Sequence, residues 1–125
     1  MARNTRELVE TYFDAINAKQ WDTWVDLFGD EIVFDDAISG RTEGIEAMRQ
    51  STQGIDQGFL SFNNHANEIV VEGDRAMAVC TIKAKTASGA EIESTGANFY
   101  RVDDGKIVYM ASYHDPTPFY KAFGG

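Results

Sequence analysis

The chain has 125 residues, 43% of them hydrophobic and 25% charged, with 20 acidic residues against 11 basic ones and a net charge of −9. That length fits one domain spanning 1–125, large enough to bury a core without disulfide or metal staples. The acidic balance argues against nucleic acid or an anionic membrane surface as a partner, because phosphate recognition needs clustered Lys and Arg.

Asn4 can cap a helix, and Glu7 three residues later completes a capping-box pair. Leu8, Val9, Tyr12, Phe13 and Ile16 follow at helical spacing and predict one buried face, with the helix ending near 17–19. A second short helix is predicted over 21–28, with Trp21, Trp24, Val25 and Phe28 as its stripe and Gly29 as its stop. Residues 31–36 read as a strand in which Ile32, Phe34 and Asp36 share one face. If Ile32 and Phe34 point into the core, Asp36 points with them. Residues 39–42 read as a loop, and Thr42 or Glu43 opens a third helix that carries Ile45, Met48 and Thr52 and ends within 54–58.

The second half reads as strands. Phe59–Glu72 is followed by a turn at Gly73-Asp74, then by Arg75–Thr86 and by 91–102. Asp103-Asp104-Gly105 is a hairpin signal leading into 106–114, and Asp115-Pro116-Thr117-Pro118 breaks the ladder because proline donates no hydrogen bond. The aromatic tail, Phe119, Tyr120 and Phe123, is expected to pack across a groove or a pocket mouth. This order of elements predicts an α+β fold, with three N-terminal helices on one face of a curved antiparallel sheet. Such a sheet has a closed end and an open end, and ligands bind in concavities of that kind.

Cys80 is the only cysteine, which rules out an internal disulfide; its setting in Ala-Val-Cys-Thr-Ile predicts a buried strand residue and a reducing compartment. Residues 1–4 lead into the helical pattern with no apolar leader, and no stretch is long enough for a membrane span. A cytoplasmic protein is therefore expected. Two distant histidines and one cysteine offer no metal-ligand spacing. No phosphate-cradling glycine motif and no nucleophile elbow are present, so neither a metal nor an organic cofactor is expected.

Tyr12-Phe-Asp-Ala-Ile-Asn-Ala-Lys-Gln-Trp-Asp, continuing through Leu27-Phe28 to Phe34-Asp35-Asp36, resembles the opening of ketosteroid isomerases and SnoaL-like polyketide cyclases. Asn98-Phe-Tyr-Arg-Val-Asp-Asp-Gly-Lys-Ile-Val and Tyr113-His-Asp-Pro-Thr-Pro-Phe resemble the last hairpin and tail of the wider nuclear transport factor 2-like superfamily. The resemblance implies a cystatin-like roll, a cone enclosing one largely apolar pocket, and a homodimer formed through the outer face of the sheet. It is specific for the fold and not for the reaction, since this scaffold carries isomerases, cyclases, dehydratases, epoxide hydrolases and non-catalytic binders. It also implies that Tyr12 donates a hydrogen bond to an oxyanion and that Asp36 shuttles a proton. The second oxyanion donor of the isomerases aligns with Ala97 and is missing. The Asp-Arg-Asp relay of epoxide hydrolases is poorly matched, with Arg101 near a hairpin and Ser112 where a carboxylate is wanted.

Asp36 therefore leads the candidate residues. Desolvation on an apolar strand face favours its neutral form and moves it toward useful base strength, whereas at a strand end it could simply cap the next loop. His114 is expected in the pocket as a donor replacing the missing acid. His65 is either a second imidazole, as in dehydratases, or part of a bulge or exposed edge. Trp24, Phe34, Phe62 and Phe119, together with Met48, Phe99 and Met110, would form an aromatic and thioether lining for a ring-containing ligand. Asn98, opposite in parity to Ala97, is expected to face outward or into a subunit contact. The chemistry expected is isomerisation, cyclisation or elimination on a small apolar carbonyl compound without a cofactor; the alternatives are a non-catalytic binding module and a two-histidine dehydratase.

Overall fold

Asn4 caps α1 (Thr5–Asn17) as its sequence requires: its side-chain oxygen accepts from the Glu7 backbone N–H at 2.9 Å, and the Glu7 carboxylate accepts from the Asn4 N–H at 3.3 Å. The structure, a computed structural model, describes residues 4–124; residues 1–3, read above as free of a leader, and residue 125 lie outside them. Leu8, Val9, Tyr12, Phe13 and Ile16 are all buried. The helix thus presents the predicted stripe to the sheet.

α2 (Trp21–Val25) is shorter than its apolar spacing suggests. The reason is tertiary: β1 (Phe28–Asp36) starts at once, and the Leu27 carbonyl accepts from the Ile107 N–H at 2.8 Å. Residues 40–43, expected as the end of a loop and the opening of a helix, form β2 (Gly40–Glu43), which pairs antiparallel with β1 from Asp36↔Gly40 to Val33↔Glu43. That hairpin delays α3 (Ile45–Gly58), whose entry bends through Gly44 at φ 88, a left-handed conformation suited to glycine.

Four long strands follow: β3 (Phe59–Glu72), β4 (Arg75–Thr86), β5 (Glu91–Asp103) and β6 (Lys106–Tyr113), with α4 (Thr117–Ala122) after them. They form one curved, unclosed sheet in the order β2-β1-β6-β5-β4-β3. Every pairing is antiparallel except β1 with β6, which is parallel because β1 arrives from the helical layer instead of a hairpin. The Asp104-Gly105 turn has φ 50 and 73, the pair of positive angles a tight two-residue hairpin demands. On β4, Ala76, Ala78, Cys80, Ile82 and Ala84 alternate inward and are buried. The small size of Ala76, Ala78 and Cys80 in the middle of the sheet lets α1 lie close. At the other end of the sheet, Phe119 of α4 joins Ile82, Ala84 and Ile92 in a second apolar cluster.

The β1–β2 hairpin is fastened on its outer side. Arg41 makes two hydrogen bonds to Asp35, at 2.7 and 2.9 Å, and the Tyr109 hydroxyl donates to the same carboxylate at 2.7 Å. These bonds hold Asp35 at about 2, below its ordinary 3.8. With the folded value depressed, this network contributes stability above about pH 4 and loses it as pH falls toward 2. Arg41→Ala should move the Asp35 titration, followed by carbon-13 NMR of its carboxyl, upward toward the ordinary carboxylate range. An unmoved titration would show that the guanidinium does not set it.

Candidate functional site

Between the helices and the concave face of the sheet lies a cavity of about 310 Å³. Its wall is apolar over most of its extent because the inward stripes of α1 and α2 meet the inward residues of β1, β3 and β4 there. Tyr12, Trp24, Phe34, Phe62 and Phe119, all expected at a pocket, line it. Phe123 joins Phe119 at this wall, so the aromatic tail closes over the cavity. Among the lining residues Asp36 is the only carboxylate, and none is Lys, Arg or His.

Asp36 is half-buried at the end of β1. One carboxylate oxygen accepts from the Ile38 N–H at 2.9 Å and the other from the Ser39 hydroxyl at 3.0 Å. The side chain thus caps the hairpin and also lines the cavity. Each oxygen keeps a further lone pair, so the bonds fix its orientation without exhausting it. Tyr12 is buried by the rings of Phe13, Trp24, Phe28 and Tyr100, at centroid distances of 5.1 to 6.3 Å. Burial, with smaller contributions from Cys80 and the Asp36 carboxylate, pushes its phenol far above the usual range. It stays a neutral hydrogen-bond donor at any physiological pH.

His114 lies on the inner face, buried but outside the cavity wall, which corrects its expected place in the pocket. Its ring is packed against Gly96, with Nε2 3.5 Å from the Cys80 sulfur and Nδ1 3.4 Å from the Ser94 hydroxyl. Burial lowers its pKa and the Asp36 charge partly offsets that. A histidine held neutral in this way costs stability as pH falls from its ordinary 6.5 through the lower folded value. Asp36→Asn should therefore lower the His114 pKa further, as read from its ring-proton shifts; an upward move would contradict their proximity. Burial pushes the Cys80 thiol up to about 11, which leaves it protonated and a poor nucleophile.

Other expected lining residues stand elsewhere. His65 is exposed on the outer face of β3, because its neighbour Asn64 takes the inward position and strand residues alternate. That removes the two-histidine site. Phe99 also faces outward, 6.1 Å from the Tyr109 ring, and Arg101 stacks over Tyr109 at 5.4 Å, away from any relay. Met48 and Met110 are fully buried in the core and absent from the cavity wall.

The residues that sequence reasoning missed are two asparagines. Asn98 is buried, lines the cavity and donates to the Tyr100 hydroxyl at 3.0 Å, so its expected outward placement is wrong. The signal was available: Ile92, Tyr100 and Val102 all point inward on β5, and Asn98 shares their parity. Asn64 lines the cavity from β3, its backbone clamped by the Asn17 side chain through bonds of 2.8 and 2.9 Å. Trp24 Nε1, Asn64 Oδ1 and Asn98 Oδ1 are sealed from solvent with no hydrogen-bond partner in the protein. Their residues all line this one cavity, but the three atoms are not themselves open to it.

The SnoaL-like domain family matches residues 9–110. None of the curated proteins matches this sequence. Among solved structures, an NTF2-like protein of unknown function from Exiguobacterium sp. 255-15 is 28% identical, with a TM-score of 0.78 over 86% of this chain and 98% of the other. An LEH-like epoxide hydrolase from M. tuberculosis is 21% identical, with a TM-score of 0.79 over 93% of this chain and 86% of the other. A Catenulispora acidiphila protein with a ketosteroid isomerase-like fold, in complex with trimethylamine, is 16% identical, with a TM-score of 0.85 over 96% and 94% of the two chains. The last two likenesses speak for the fold alone.

Proposed function

This chain belongs to the SnoaL-like domain family, and from that premise we propose that it is a cofactor-independent acid–base enzyme acting on a small apolar carbonyl compound. The observation that carries the reading is the single carboxylate of the cavity, Asp36, sharing a largely apolar wall with the phenol of Tyr12. Asp36 takes a proton from the carbon beside the carbonyl, and the Tyr12 hydroxyl donates to the oxygen as it gains charge. The proton on Asp36 then returns to the same molecule at another atom, which completes an isomerisation, or assists a ring closure or an elimination. In a largely apolar cavity, a fixed donor acts on the developing charge more strongly than it would in solvent.

Asn98 is the cavity-lining amide next to Ala97, where the family alignment located the second donor. With its amide turned over, the Tyr100 hydroxyl donates to Oδ1 and the amide nitrogen takes the sealed position of the unpaired oxygen. This orientation pairs the Tyr100 proton, which the opposite orientation leaves unused. His114 acts from behind the wall, as a neutral packing partner and not as a proton donor. Homodimerisation remains part of the proposal: Val70, Val79 and Tyr113 on the outer face are 59%, 42% and 61% exposed, a surface that a second copy would cover.

The test is exchange of the protons beside the carbonyl of β-tetralone in heavy water, followed by proton NMR. The protein should accelerate it well above the rate set by buffer. A second reading, a non-catalytic binder, is favoured by the two loop hydrogen bonds that Asp36 accepts. It predicts that β-tetralone binds while its exchange rate stays at the buffer value.

A further inference from the structure

One row of the concave sheet face is polar. Asp36 of β1 pairs with Ser112 of β6, and Ser112 pairs with Asn98 of β5. These three residues stand side by side on adjacent strands, and all of them line the cavity. On its other flank Asp36 meets Gly40, which has no side chain, so Ser112 is its one cross-strand neighbour. Adjacent strands run about 4.8 Å apart, close enough for a single ligand atom to touch both side chains. Ser112 is 8% exposed, and its carbonyl is tied by the Ala37 N–H at 3.1 Å. Its hydroxyl makes no hydrogen bond among the described residues, yet it is not one of the atoms sealed from solvent. It opens on the cavity. Alanine would fill the same place without desolvating a hydroxyl, so a free donor held here marks where a ligand oxygen arrives. Tyr12 approaches the row from the β5 side: its ring lies 5.3 Å from that of Tyr100, whose hydroxyl is bonded to Asn98. Ser112 therefore stands between the base and the side from which the phenol comes.

We infer that Ser112 is a further catalytic residue, whose hydroxyl donates to the same substrate oxygen that Tyr12 meets. It shares the charge that gathers there as Asp36 removes the neighbouring proton, and its own proton stays on its oxygen throughout. The inference rests on the acid–base reading for the identity of that oxygen. A neutral donor suits this place for a physical reason. A Lys or Arg beside the carboxylate would pair with it and weaken it as a base, whereas a serine hydroxyl serves the substrate oxygen and leaves the base strength of Asp36 intact.

The test compares the wild type with Ser112→Ala and Ser112→Thr. Calorimetry gives the affinities for β-naphthol and for naphthalene, which lacks the oxygen, and proton NMR gives the exchange rate of β-tetralone. Ser112→Ala should bind β-naphthol about tenfold more weakly and naphthalene as before. Its exchange rate should fall about 10–100-fold with the melting temperature unchanged. Ser112→Thr keeps the hydroxyl and should keep the β-naphthol preference. Equal β-naphthol affinity in the wild type and Ser112→Ala overturns the proposal. So does a loss that extends to naphthalene or to Ser112→Thr, because that pattern marks altered packing and not a missing donor. A protein whose β-naphthol affinity depends on the Ser112 hydroxyl but which catalyses no exchange would keep Ser112 as the contact to the ligand oxygen and sink the acid–base reading instead.

Discussion

Asp36→Asn should reduce the catalysed exchange of β-tetralone protons by about 10²–10⁴-fold, the usual range for loss of a positioned general base. The melting temperature should change little. The two expectations separate because Asn preserves what Asp36 does for the fold. Its Oδ1 can still accept from the Ile38 N–H, and its amide can donate to the Ser39 hydroxyl where the carboxylate accepted from it. The β1–β2 hairpin keeps both bonds, while the cavity loses the only group able to take a proton. A variant that unfolds would assign Asp36 to the hairpin; one that exchanges at the wild-type rate would place the base elsewhere.

Gly96→Ala should be strongly destabilising, at about 3 kcal/mol, near the upper end of what overpacking costs. A Cβ at Gly96 would lie 2.5 Å from the Tyr113 carbonyl oxygen and 2.8 Å from Cγ and Nδ1 of His114. The backbone oxygen cannot retreat without disturbing the β5–β6 ladder at Ala97↔Tyr113, and the ring cannot retreat without leaving Ser94 and Cys80. For a chain of this size the loss corresponds to a melting temperature lower by roughly 10 °C. Removing the ring as well, in Gly96→Ala with His114→Ala, should recover part of the loss and not all of it, since the carbonyl contact stays. A single variant as stable as the wild type would falsify the close packing of His114 on Gly96.

Much of the fold was legible because local rules and tertiary demands agree. The capping box at Asn4 and Glu7, the stripe from Leu8 to Ile16, and the Asp104-Gly105 turn each have one favourable conformation, and the structure adopts it. Where tertiary pairing overrides local preference, the reading failed. Residues 40–43 become β2 because β1 offers an open edge, and α2 stops early because Phe28 is taken into the sheet opposite Ile107. The site divides in the same way. Ile32 and Phe34 carried Asp36 inward by simple alternation, and Tyr12 followed from the stripe of α1. His114 was placed on the correct face, but which inward residues border empty space depends on how the helices fill the concavity, and no periodicity encodes that. The same holds for Met48 and Met110, which face inward but are swallowed by the core. Asn98 was lost for a different reason: a family alignment that fell on Ala97 outweighed the parity of the strand that carries both.

The reaction proposed here needs the substrate's oxygen at the phenol and its acidic carbon at the carboxylate. β-Naphthol, an enol mimic of β-tetralone, bound to the Asp36→Asn protein imitates that state, with the base already protonated. A crystal structure of this complex should place the naphthol oxygen within hydrogen-bond distance of the Tyr12 hydroxyl and a ring carbon beside residue 36. A naphthol seated outside the cavity, or one whose oxygen turns away from Tyr12, would contradict it.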